Sequence, residues 1–329
     1  LAAGVGRWSL ILAVLLAGLP GCGIQLLGGD SAGNVGFGGP GAGNGDWQGD
    51  PYRTPPTLPA LADDALDGIA AAVDAVLERP EVADASISLL VVDAETGQEI
   101  VARSADQALK PASNTKLFTT AAALEIFGED RRMATTVSAA AAPQAGVVSG
   151  GAVLRGGYDF SWSSLVLDHS RVAIDELVGQ LEAAGIERID GTLWITGEFL
   201  VDGYQFGTYD AGREQGEVAE AVSVALKDAG IAVEKIAVSA EPIEGMTTVL
   251  AQFESPPLVV GGTPLNRVSH NEFADVLARY TASELGGDAS TATWTEEIGS
   301  WATGFGADVL LHDGSGLSHD NRVSARSII

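Results

Sequence analysis

KPASNTK, Lys110–Lys116, lies between a strand-like run and an apolar helix-like run, and it sets a serine three residues ahead of a lysine. Residues i and i+3 of a helix share a face, so Ser113 in a first turn comes within reach of the Lys116 amine. A serine hydroxyl is a poor nucleophile until a base takes its proton. A lysine serves as that base only when its surroundings depress its pKa. The spacing therefore suits a Ser-Lys acyl-transfer centre. A capping serine and a surface lysine would give the same spacing, but LFTTAAALEIF, which follows, is too apolar for an exposed helix.

Outward from this stretch the pattern is regular. Upstream, LADDALDGIAAAVDAVLER repeats Leu61, Leu66, Ile69, Val73, Val76 and Leu77 at helical spacing and stops at Pro80. ASISLLVVDAETGQEIVARSADQ then reads as two strands around the turn-forming DAETGQ. Pro111 can open the next helix, with Leu117, Phe118, Ala121, Leu124 and Phe127 expected on its inner face. From about 133 to 257, β-like segments alternate with helices, as expected of an inserted α/β domain. Helices there end at Gly185 and Gly230, the ordinary glycine stop. After ESPPL, helical patterns return in NRVSHNEFADVLARYTASELGG and ATWTEEIGSWATGFG, followed by a strand and loop through DGSGLSHDNRVSA.

The chain has 329 residues, 46% of them apolar, enough for one large domain or two ordinary ones. Its 44 acidic against 18 basic residues give a formal charge of −26, which would repel a phosphate backbone, so nucleic acid is not an expected partner. The lysines are Lys110, Lys116, Lys227 and Lys235 alone, and two of them flank the serine motif. At the N-terminus, Arg7, the apolar LILAVLLAGL and LPGC ending at Cys22 read as an export signal, too short to span a bilayer permanently. Cys22 closes a lipobox-like pattern, so the expectation is a signal peptide over 1–22, lipidation of Cys22 and anchoring to a membrane through that lipid. The single cysteine excludes an internal disulfide. Residues 23–59, rich in Gly, Asn and Pro, read as a flexible tether. Four histidines without paired-ligand spacing imply no metal, and no cofactor is implied.

A second constellation is Ser269-His270-Asn271 at a helix start. Ser269 can relay a proton and Asn271 can bind an amide, while plain N-capping by either residue remains open. The ordered set DAETGQEIVARSADQALKPASNTKLFTTAAALEIFG, SPPL, SHNEFADVLAR and DGSGLSHDNRVSA resembles the D-alanyl-D-alanine carboxypeptidase/endopeptidase family of class C low-molecular-mass penicillin-binding proteins. The resemblance covers most of 80–329, and a long insertion between the two motifs marks that family, though the insertion here is short. It implies a β-lactamase/transpeptidase-like α/β (α+β) fold, an antiparallel sheet flanked by helices, with residues 60–132 and 258–329 forming one domain around the insert at 133–257. It implies further that Ser113 is acylated, Lys116 activates it, Ser269 relays a proton and Asn271 binds the substrate amide. The Ser113 N–H would form part of the oxyanion hole, the substrates would be peptidoglycan peptides ending in D-Ala-D-Ala, and β-lactams would inhibit. The family's third motif, K-T-G or K-S-G, has no counterpart after Lys235. The expectation is a chain cut short before that strand, and a non-catalytic wall-binding relative or a β-lactamase- or esterase-like hydrolase are the rival readings.

Overall fold

In the computed structural model, residues 10–17, 63–82, 84–93, 96–163, 168–201, 210–285 and 291–329 are described. They fall into two units, Leu1–Leu109 and Lys110–Ile329.

The first unit contains strand β1 (Leu10–Ala17), helix α1 (Asp63–Leu77) and strands β2 (Ser86–Asp93) and β3 (Glu99–Arg103). β2 is central and antiparallel to both neighbours. The DAETGQ turn closes the β2–β3 hairpin: Asp93 Oδ1 accepts from the Thr96 N–H and hydroxyl, and Gly97 takes φ 71°, a conformation glycine adopts without a Cβ penalty. Leu89, Val91 and Val101 meet Ile69, Ala70 and Val73 of α1, each fully buried aliphatic contributing roughly 1.5–3 kcal/mol. Arg103 clasps Asp74 of α1 fork to fork at 2.8 and 2.7 Å, which holds that carboxyl below its ordinary pKa. Leu10–Ala17, expected as the apolar core of an export signal, is here a strand. A run of eight aliphatic residues suits the edge of β2 as well as it suits a leader. Cys22 and the tether expected over 23–59 lie outside the described residues.

The second unit begins with a 3-10 turn, Ala112–Asn114, running into α2 (Thr115–Phe127). Strands β4 (Ala134–Ala139), β5 (Val147–Ser149) and β6 (Ala152–Gly157) follow, then a 3-10 turn at Phe160–Trp162, α3 (Ser170–Ala183), β7 (Arg188–Glu198), α4 (Ala211–Asp228), β8 (Ala232–Val238) and β9 (Thr248–Glu254). These strands form one mixed sheet: β7 runs parallel to β5, β6 and β8, while β4 is antiparallel to β6 and β9. Parallel neighbours need crossovers, which α3 and α4 supply. Both helices pack on the sheet through Ile174, Leu177, Leu181, Val218, Val222 and Leu226. Each ends as its glycine requires: Gly185 and Gly230 take φ 69° and 73°, and the following Ile186 and Ile231 donate back to Leu181 and Leu226.

The rest of the unit is helical: α5 (Leu258–Val268), α6 (Asn271–Glu284) and α7 (Thr291–Gly304), then the two-stranded β10 (Val309–Leu310) and β11 (Arg322–Val323) and the short α8 (Ala325–Ile328). α2 packs between two apolar clusters. One holds Ala123, Met133, Leu258, Leu265, Phe273 and Leu277, the other Phe118, Ala122, Ala278, Trp294, Ile298 and Val323. Two expectations are corrected in α2. Leu117 and Ala121 face outward, because the buried side is taken by Lys116, Thr119, Thr120 and Ala123. The helical pattern expected from Asn266 begins earlier, with α5 at Leu258, because burial of Leu258 and Leu265 outweighs the helix-breaking tendency of Gly261, Gly262 and Pro264. The division between the units falls at Leu109/Lys110.

Candidate active site

Three backbone features bring the two motifs together. Ala112 has φ 47°, and this left-handed residue turns the chain so that Ser113 is exposed at the mouth of α2 while Lys116, one turn on, is only 2% exposed. Ser269 also lies in the left-handed region, at φ 58° and ψ 48°, making the corner between α5 and α6. His270 caps α6 by accepting the Phe273 N–H at its Nδ1. The third feature is the loop 313–318. Asp313 gathers it by accepting from the N–H groups of Gly316 and Ser318 and from Asn321 Nδ2, and Thr119 donates to the Gly314 carbonyl. Gly316, at φ 88°, comes so close to α2 that a Cβ there would stand 1.9 Å from the Ala112 oxygen.

The polar groups meet at the Lys116 nitrogen. Nζ lies 2.6 Å from Asn271 Oδ1, 2.5 Å from the Ser315 carbonyl and 3.4 Å from Ser113 Oγ; Ser269 Oγ donates to Ser113 Oγ at 2.8 Å. A neutral amine has two N–H donors and one lone pair. The two short contacts take two N–H donors, so the third position at Nζ faces the serine hydroxyl, an N–H donor in the ammonium and the lone pair in the neutral amine. Burial lowers the Lys116 pKa to about 8 against the opposing charges of Asp275 and Asp313, so about a tenth of it is neutral at pH 7. Asp275, one turn beyond Asn271 on α6, is itself pushed up to about 6, first by burial and then by Asp313. The arrangement is an exposed hydroxyl with a buried amine of lowered pKa behind it.

Ser113, Lys116, Ser269 and Asn271, the four residues expected from the two motifs, are thus one hydrogen-bonded cluster. The Ser315 carbonyl and Asp275 were not expected in it. Asp275 is readable in retrospect, since i+4 from Asn271 places it on the same helix face. A backbone carbonyl carries no residue signature.

The family profile described as the D-Ala-D-Ala carboxypeptidase 3 (S13) family matches residues 69–204 and 196–329. The chain belongs to this S13 family. Among its relatives, the D-alanyl-D-alanine carboxypeptidase of Actinomadura sp. (strain R39) is 36% identical over 152 residues, covering 44% of this chain and 27% of that protein. Carboxypeptidase DacB of Mycolicibacterium smegmatis is 28% identical over 296 residues, 79% of this chain and 62% of the relative. The S13 chain therefore spans less than two thirds of the length of either protein. Its fold is similar to that of penicillin-binding protein 4 of Haemophilus influenzae, solved in complex with a β-lactam, at a TM-score of 0.60 and 18% identity over 73% of this chain and 72% of the other. The S13 chain thus shares its mixed α+β fold with that protein.

Proposed function

We propose that this chain carries the acylating centre of a serine-type D-Ala-D-Ala carboxypeptidase/endopeptidase that acts on peptidoglycan stem peptides and is inhibited by β-lactams. The observation that carries the proposal is the Lys116 nitrogen, whose donors are held by Asn271 and Ser315 and whose remaining valence faces Ser113. Family membership and the printed names of the relatives support the same reading.

The geometry supports the following chemistry. Lys116 takes the Ser113 proton as Oγ attacks the carbonyl carbon between the two D-alanines, and the Ser113 N–H helps hold the oxyanion. Ser269, 2.8 Å from Ser113 Oγ, relays that proton from the Lys116 ammonium to the leaving amine, so the C–N bond breaks, terminal D-alanine departs and Lys116 is neutral again. With its oxygen held by Lys116, the Asn271 amide presents its N–H donors to the substrate carbonyl. Water, deprotonated by the neutral Lys116, then attacks the ester carbon, the bond to Ser113 Oγ breaks, and the proton on Lys116 returns to that oxygen. In a β-lactam the leaving nitrogen stays tethered to the acyl group, so the adduct persists.

Fluorescent penicillin applied to the complete natural protein should label it covalently, and Ser113→Ala should abolish the label. Labelling that survives this substitution would remove Ser113 from its role, and absence of labelling in the unsubstituted protein would favour the wall-binding reading. We further propose export with a lipid on Cys22, supported by the leader-like sequence through LPGC. Metabolic incorporation of an alkynyl palmitate, lost on Cys22→Ser, is the expected result. Retention of the label in that variant would exclude the anchor.

A further inference from the structure

The two residues that flank Asn271 have no part in the chemistry above, yet His270 and Glu272 are both 0% exposed. Each is held by a side chain from the segment 134–254 that carries the six-stranded sheet. Ser163, just after the Phe160–Trp162 turn, lies with its Oγ 3.1 Å from His270 Nε2. Since Nδ1 accepts the Phe273 N–H, Nε2 bears the proton and donates to Ser163. Arg213 of α4 reaches Glu272 through Nη2 at 2.9 Å, and the same nitrogen meets the buried Glu214 at 2.9 Å. Between these ties the Phe160 ring stacks on Phe273 at 5.2 Å and presses on α5 so closely that a Cβ at Gly261 would stand 2.9 Å from it.

All of these contacts surround the α5–α6 corner whose vertex is Ser269. That vertex is a serine in the left-handed region, a conformation that costs about 1–3 kcal/mol and persists only when its surroundings impose it. The sheet segment reaches the corner at two points, through a hydrogen bond at His270 and an ion pair between the half-buried Arg213 and the buried Glu272. Removing Arg213 would leave two carboxylates buried beside each other, so the pair is costly to break.

We infer that the segment 134–254 is a clamp for the S-x-N motif, with Ser163 and Arg213 as positioning residues that hold Ser269 and Asn271 against Ser113 and Lys116. The inference rests on the roles proposed above for Ser269 and Asn271. It gives the insert a part in the acylation step, carried by contacts outside the reacting atoms.

The test is a mutant cycle on the complete natural protein, reading the rate of acylation by fluorescent penicillin and the midpoint of thermal unfolding. Ser163→Ala is expected to slow acylation roughly ten- to a hundredfold, as small misplacements of reacting groups do. His270→Asn, which keeps a capping side chain but withdraws the ring from Ser163, is expected to match it, and Ser163→Thr to restore the rate. The combined Arg213→Met, Glu214→Gln and Glu272→Gln variant removes the ion pair without stranding a charge and should slow acylation similarly. In a Ser269→Ala background, Ser163→Ala should cost less than it does alone, because one of the two groups it positions is gone. Full additivity there, or a rate that merely follows the unfolding midpoint, would reduce the contacts to structural ones and overturn the inference. Unchanged rates in all the clamp variants, with Ser269→Ala still slow, would overturn the clamp alone. An unchanged rate in Ser269→Ala itself would overturn the relay reading and the clamp with it.

Discussion

In the proposed chemistry Lys116 is the base, and its proton affinity is set by burial and by two carboxylates on two other elements. Burial favours the neutral amine, while Asp275 of α6 and Asp313 of the following loop favour the ammonium. Only the neutral form can accept the Ser113 proton, so acylation should rise with pH through an apparent pKa of about 8 and level off above it. Asp275 is charged over most of this range, since its own pKa is about 6. Asp275→Asn removes a negative charge that supports the ammonium. The limb should therefore move to lower pH, with faster acylation near neutrality. Second-order acylation rates from about pH 6 to about pH 10 measure this shift; a limb that stays in place would show that Asp275 does not govern the amine. The proximity of Ser113 and Lys116 was legible in the sequence because both lie in one helical turn. Asp275 was not, because its charge matters only once α6 is laid against α2.

The loop 313–318 acts at the scale of an element. Its Ser315 carbonyl holds Lys116 across 199 residues of sequence, and that acceptor is in place only because Gly316 lets the backbone pass within contact distance of Ala112. Gly316→Ala adds left-handed strain of about 1–2 kcal/mol and also a Cβ at 1.9 Å from a carbonyl oxygen, so the loop must lift. Gly306→Ala is the control: its φ of 84° imposes the same strain with nothing within 4 Å. Both variants should lower the unfolding midpoint by at least about 2 °C, and Gly316→Ala alone should also lose most of its acylation rate. Equal acylation in the two would separate the loop from the site. The glycine-rich run could be read as a close approach, but its partner could not. The same limit explains the other misses. The start of α5 is hidden by its Gly-Gly-x-Pro sequence, the inner face of α2 by threonines that the loop recruits, and the pairing of Leu10–Ala17 by an aliphatic run that fits a leader or a strand equally well.

At the scale of the whole molecule the formal charge of −26 matters more than any pair. With 44 acidic and 18 basic residues, most carboxylates have no cation to meet, and their mutual repulsion disfavours the compact state. The field extends about 30 Å at 0.01 M salt and about 8 Å at 0.15 M, so added salt removes most of it. The unfolding midpoint should rise by several degrees across that range, to the same extent in sodium and potassium chloride, because screening does not distinguish the two cations. The same field opposes the approach of an anionic ligand, and both a penicillin and a peptide ending in D-Ala-D-Ala carry a carboxylate. The second-order rate of acylation should therefore increase with ionic strength, the reverse of what a steering cleft produces. A rate that falls with added salt would mean that local positive charge around Ser113 outweighs the net field.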